Sequence, residues 1–165
     1  MSDELIKTLL IAKTEVKLSL HGNEDHHNKI VGKEAFNPIT TAIERLIKVG
    51  VKASIQTTIV HQHLDMVDWI IDFCLSNKIK KVSFLPFIPR GHGFENRSLY
   101  GLTPEECRLF HDLIRQNRKK YISRLDIRLL DFSARPIHVV EPDGRIVLEG
   151  ATEARDIMIF QIPDK

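Results

Sequence analysis

The stretch VKLSLHGNEDHHNKIVGKEAFNPITTAIERLIKVGVKASIQTTIV, Val16 to Val60, decides how the chain is read. It opens on the apolar strand EVKLSL, begun by Glu15, and runs out into a polar segment carrying His21, His26 and His27. In EAFNPITTAIERLIKVG the apolar residues Ile39, Ala42, Ile43, Leu46 and Ile47 recur at helical spacing, and Gly50 ends the helix. VKASIQTTIV is then a second strand. The stretch is therefore one βαβ unit, and its histidine-bearing segment is expected to be a solvated loop.

Outward from this unit the alternation continues. SDELIKTLLIAK is a helix with Ser2 as its cap. After Val60 come the helix LDMVDWIIDFCLSN, the strand KKVSFLPF and the Gly- and Pro-rich loop IPRGHGFENRSLYG. Next is the helix TPEECRLFHDLIRQNRKKY, capped by Thr103 with Pro104 at its first position, and the strand RLDIRLL. Strands alternating with helices of this length imply a parallel sheet with right-handed crossovers. Past Asp131 the style changes: PIHVVEPDGRIVLEG reads as a hairpin turning at Pro142-Asp143-Gly144, and ARDIMIFQ as one more strand. Residues 1–135 are expected to form the β/α part, and residues 136–165 a hairpin and strand extension of the same domain, packed on the edge or end of the sheet.

Composition narrows the function classes. The 165 residues, 42% hydrophobic and 28% charged, suffice for one sizeable core. Basic residues number 24 against 22 acidic and are interspersed with them, so no footprint for nucleic acid or anionic membrane is present. MSDELIKTLLIAK is too acidic at its front and too briefly apolar for a signal peptide, and a cytoplasmic location is expected. Cys74 and Cys107 lie far apart in helical segments and form neither a disulfide framework nor a C-x-x-C motif.

The strands have two unlike faces. Val16, Leu18 and Leu20 oppose Lys17, Ser19 and His21; Ile55 and Ile59 oppose Ser54, Gln56 and Thr58; Leu125, Ile127 and Leu129 oppose Asp126 and Arg128. A doubly wound sheet, covered on both faces, has almost wholly apolar central strands. This pattern instead fits either a sheet curled around a cavity, as in a barrel, or an open sheet with one face in solvent.

Val16 to Val60, followed by DMVDWIIDFCLSNKIKKVSFLPFIPRGHG, resembles the later part of the radical S-adenosylmethionine (radical SAM) fold. The likeness is strongest to enzymes of molybdenum cofactor and coenzyme pyrroloquinoline quinone (PQQ) synthesis, over roughly Glu4 to Gly93 and more loosely to Leu130. Its parts are a fourth barrel strand ending SL-x-G, His27 and Gly32 in the following segment, and Phe36 opening a helix. VGV then leads into a fifth strand with Gln56, and a sixth strand ends FLPFIPRG. His21 stands where the family often has Asp, and Val31 where it often has Arg.

The resemblance implies an incomplete (β/α) TIM-like barrel with parallel strands. For the complete enzyme it implies S-adenosylmethionine and an iron–sulfur cluster, reductive cleavage to a 5′-deoxyadenosyl radical, and a small-molecule or peptide substrate held over the polar barrel face. It implies that Ser19 reaches the ribose, with Gln56 and Thr58 nearby, that Leu85, Pro86 and Phe87 flank the adenine, and that His21, His27 and Arg90 lie on the substrate side. The family's cluster is held by C-x-x-x-C-x-x-C, whose three thiolates leave one iron open to SAM. No such motif occurs here, and Cys74 and Cys107 do not substitute for it. Neither cofactor is therefore expected on this chain alone, nor radical chemistry. A homodimer or a cluster-bearing partner chain, joined at the edge of the first strand, is expected instead.

Two other classes stay open. The chain could be a nucleotide- or metabolite-binding or partner-docking module without catalysis. It could also be a metal-dependent hydrolase using His21, His26 and His27 with His61 and His63, although no H-E-x-x-H spacing is present. GHGFENRSLYG does not open a helix after a strand in the G-x-G-x-x-G manner, and reads as a long rim loop.

Overall fold

The structure, a computed structural model, describes residues 2–130, 137–150 and 156–163, apart from the side chain of residue 92. Helix α1 (Asp3–Ile11) leads into β1 (Val16–Ser19), and α2 (Glu24–Val31) and α3 (Phe36–Lys48) lead into β2 (Ala53–Ile59). Then come α4 (Met66–Ser76), β3 (Lys81–Pro86), a 3₁₀ turn (Gly91–Phe94), α5 (Arg97–Tyr100), α6 (Pro104–Lys120) and β4 (Asp126–Leu129). These four strands form one parallel sheet in the order β1-β2-β3-β4. The remaining strands, β5 (Ile137–Val140), β6 (Arg145–Glu149) and β7 (Ile157–Gln161), form a separate antiparallel sheet. The hairpin turns at residues 141–144 as expected, with Gly144 at φ +81°. Residues 131–136 and 151–155, including the start of the expected last strand, lie outside the described residues.

The alternation in the strands translates directly into layers. Ile55, Ile59, Val82, Phe84 and Ile127 are buried against helices; α4 packs on β2 and β3, α6 on β4, and α3 on β2. The opposite face carries a continuous polar row, because register pairs Ser19 with Gln56, Gln56 with Ser83, and Ser83 with Arg128. Parity also puts one polar residue on the helix side: Thr57 is fully buried beside Ile55 and Ile59, its hydroxyl without a partner among the described residues.

The expected histidine loop is a helix. Asn23 caps it by accepting from the His26 N–H at 3.0 Å, Glu24 and Asp25 occupy its first turn, and Gly32 ends it at φ +75°. His26 and His27 are not solvated but 6% and 3% exposed, turned inward by the helical period. The rim loop is also partly ordered, into the 3₁₀ turn and α5. Among the described residues the C-terminal sheet shares no strand pairing with the parallel sheet; Arg90 joins them, donating from Nη1 and Nη2 to the Asp156 carboxylate at 2.7 and 2.8 Å and from Nη1 to the Gly150 carbonyl at 3.0 Å. No described helix is long and apolar enough to cross a membrane.

Asn28 holds the α2–α3 corner. Ala35, at the start of α3, has no side-chain cap of its own, and Asn28 Oδ1 accepts from both the Ala35 and Phe36 N–H groups at 2.8 and 2.9 Å. Asn28→Ala orphans both donors and is expected to cost about 1–2 kcal/mol in chemical denaturation. Asn28→Asp keeps the acceptor but turns the Nδ2 donor facing Glu34 into a carboxylate oxygen, so in a Glu34→Gln background it should lose much less; equal losses there would show that the corner does not depend on the acceptor.

Candidate functional site

The candidate site lies at the C-terminal ends of β1, β2 and β3. Parallel strands all end there, so the loops following them converge and their side chains face one another. A cleft of about 360 Å³ opens between these ends, lined by His21, Thr58, Val60, the run Leu85 to Ile88, Ile30 and Tyr100. Its walls are mostly apolar, its polar groups few, as in a site for a small organic ligand. The Phe87 and Tyr100 rings pack at 5.8 Å. A second cleft of about 480 Å³ lies on the other side of the histidines, with Ser19, His27, Val31, Lys33 and Glu34 among its lining residues.

Side-chain hydrogen bonds complete the ends of the strands. The Thr58 N–H donates to His21 Nδ1 at 3.2 Å, and the His21 N–H donates to His27 Nδ1 at 3.2 Å. The two imidazoles stack at 5.5 Å, one facing each cleft. Burial, reinforced by the His27 and His26 imidazoles, pushes His21 down to about 4; burial and the neighbouring His63 do the same to His26, and burial lowers His27. All three rings are therefore uncharged at neutral pH. His26 is the anomaly among them, since both its ring nitrogens are buried without a hydrogen-bond partner among the described residues.

Tyr100 is held in place by a carboxylate. The His61 N–H donates to the Tyr100 carbonyl at 3.0 Å, while Glu106 accepts from His61 Nδ1, Gln62 N–H and Thr103 N–H at 2.8 Å each. Those two backbone donors and the imidazole hold the Glu106 carboxyl at about 2. Glu106 thereby pins the turn after β2 to the start of α6, completing a capping box with Thr103.

Of the residues expected from the sequence, His21, Thr58, Leu85, Pro86 and Phe87 meet around the first cleft, while Ser19 and His27 line the second. Gln56 lines neither and lies in the polar row. Arg90 is engaged with Asp156, Glu149 and Gly150, not lining either cleft. Tyr100, Val60, Ile30 and Ile88 were not anticipated; Tyr100 reaches the cleft only because the rim segment folds into α5. The five histidines of the hydrolase reading do not converge. They separate into His21 with His27, His26 with His63 at 4.2 Å, and His61 with Glu106, and among the described residues no group of three His, Cys, Asp or Glu side chains is placed to hold a metal.

No protein-family model and no curated protein matches the sequence. Solved structures do match. The chain is similar to anSMEcpe with bound AdoMet, at 18% identity and a TM-score of 0.65, over 90% of this chain and 47% of that one. It is similar to SuiB of Streptococcus suis bound to precursor peptide SuiA, at 16% and 0.59, over 81% and 31%. Native anSMEcpe with bound AdoMet and Kp18Cys peptide matches at 18% and 0.65, over 92% and 48%. The chain thus spans a third to a half of the solved chains it matches. At such identities the likeness establishes the fold, which is radical SAM-like.

Proposed function

We propose that this chain is the part of a radical SAM-type protein that holds the nucleoside of AdoMet and faces the substrate. The observation that carries this reading is the cleft at the ends of β2 and β3, where Thr58, Phe87, Tyr100 and His21 combine aromatic surface with few hydrogen-bonding groups. Apolar and aromatic walls suit a flat base and the Thr58 hydroxyl suits a polar group beside it, while Ser19, in the second cleft beyond the histidines, would meet a sugar hydroxyl only where the ligand reaches past His21. The neighbours' bound AdoMet and peptides support a peptide as the substrate class. We place the chain nearest the cofactor- and peptide-maturation enzymes, such as those of coenzyme PQQ or molybdenum cofactor synthesis.

An iron–sulfur cluster does not fit the residues present. Cys74 is sealed in the core on α4, with burial pushing its thiol up to about 12, and Cys107 lies on a different helix, α6. Cluster ligands would have to come from other polypeptide, and β1 is where it would dock. β1 stands at the edge of the sheet, pairing with β2 alone among the described residues. An edge of this kind is a template for another strand. We take the hairpin and strand of the C-terminal segment as an extension of the same domain, a reading supported by the Arg90 bonds to Asp156 and the Gly150 carbonyl. At micromolar concentration light scattering is expected to find self-association or capture of a cluster-bearing partner; a strict monomer that binds no such chain would contradict the docking role.

Calorimetric titration with AdoMet tests the site. Although the sequence leads to the expectation that this chain alone holds neither cofactor, the cleft predicts saturable binding of one AdoMet per chain, weakened about ten-fold or more by Phe87→Ala, which strips an aromatic wall. Binding that ignores Phe87→Ala and Thr58→Val would contradict the nucleoside reading. The cleft would serve equally as a non-catalytic metabolite site, a reading favoured if other nucleosides bind as well as AdoMet.

A further inference from the structure

We propose that His21 is the specificity-determining donor of the first cleft, reading a ring-nitrogen acceptor of the bound base through its Nε2–H; this rests on the cleft being a nucleoside site. The geometry of the strand ends carries the inference. The Leu20 N–H donates to the Gln56 carbonyl at 3.1 Å, the last main-chain rung between β1 and β2. The next rung would take the Thr58 N–H, but the chain turns away at Gly22, and His21 Nδ1 accepts that donor instead. A nitrogen accepting from an N–H carries no proton, so in the neutral ring the proton sits on Nε2.

The same argument applies to His27, whose Nδ1 accepts from the His21 N–H, so the imidazole behind His21 locks the main chain that carries it. Among the described residues no group bonds His21 Nε2, and that atom is not among the buried ones. It is left for a ligand. The other polar groups of the lining, the hydroxyls of Thr58 and Tyr100, rotate to donate or accept as the ligand requires. Among the described residues no charged side chain lines the cleft. Among the described side chains of the lining, discrimination between ligands of one shape therefore falls to the one donor whose direction is fixed. A base that offers C–H at that point leaves the Nε2–H unpaired in a largely apolar cleft, the situation in which sites discriminate best.

The test compares adenosine with 1-deaza-, 3-deaza- and 7-deazaadenosine, each lacking one ring-nitrogen acceptor, by titration of the full chain. One of the three is expected to bind at least about ten-fold more weakly than adenosine, and that difference should vanish in His21→Phe, which fills the space without a donor. Because His21→Phe also removes the Thr58 rung, ¹⁵N spectroscopy of the wild-type imidazole provides a second readout. It should show Nε2 protonated and Nδ1 bare, with Nε2–H shifting on addition of adenosine and not of the discriminated analogue. Equal binding of all analogues, a difference that survives in His21→Phe, or a proton on Nδ1 would overturn the proposal and leave the nucleoside site standing. Failure of adenosine to bind at all would remove the nucleoside reading, and this inference with it.

Discussion

Acidification from pH 6.5 to about 4 is expected to strip the protein of much of its stability. His21 and His26 both have folded values of about 4 against an ordinary 6.5, and His27 is lowered in the same direction. Between those values the unfolded chain binds protons that the folded chain refuses, so stability rises with pH up to about 6.5 and falls as pH drops towards 4. The His21 shift is worth on the order of 2–3 kcal/mol by pH 4 and the His26 shift less, because repulsion among the neighbouring imidazoles is shared between them, against a total of about 5–15 kcal/mol for a domain. The cause is burial in both cases, and for His26 it is the more telling, since neither ring nitrogen finds a partner among the described residues. His26→Phe keeps a ring of similar size and removes the titrating group. Its melting temperature at pH 7 should equal or exceed that of the wild type, and its fall with acid should be visibly shallower. An unchanged slope in the variant, or a wild type insensitive to pH over this range, would contradict the burial of these rings.

Gly22→Ala is expected to cost about 2–3 kcal/mol through a clash at the turn that ends β1. Gly22 has φ +150°, and a Cβ there would collide with Met66 Sδ and lie 3.0 Å from both Met66 Cγ and His26 Cδ2. Met66, 7% exposed, has little room to withdraw. The clash predicts coupling: Gly22→Ala in a Met66→Ala background should cost less than in the wild type, because the shortened side chain vacates the contested space. Strictly additive effects in denaturant titrations would mean that the clash is relieved elsewhere.

These features differ in how far they can be read from the chain. Period-two alternation in VKLSL and ASIQTTI assigned Leu18, Ile55 and Ile59 to the helix side and Ser19, Gln56 and Thr58 to the other, because a strand's faces follow from parity alone. The polar row Ser19–Gln56–Ser83–Arg128 needs register as well, which no single strand contains. Helix α2 reads as a loop in the sequence because most of its residues are polar, although it carries helix signals: Asn23 before two acidic residues and Gly32 at its end. Arg90 was expected beside the substrate from its place after FLPFIP. Its partners Glu149 and Asp156 belong to a distant segment, and only tertiary structure brings them to it. Tyr100 in the cleft and Glu106 behind it are likewise products of long-range contacts, through His61 and Gln62. In the sequence they are a tyrosine in a rim segment and an ordinary capping-box glutamate.

Protein-observed NMR of the full chain titrated with 5′-methylthioadenosine, a nucleoside thioether that needs no cluster to bind, tests the central claim most directly. Saturable shifts are predicted for Thr58, Phe87, Tyr100 and the His21 ring, with Lys52 and Lys80, at the opposite ends of the strands, unmoved. No saturable shifts, or shifts centred away from the ends of β2 and β3, would contradict it.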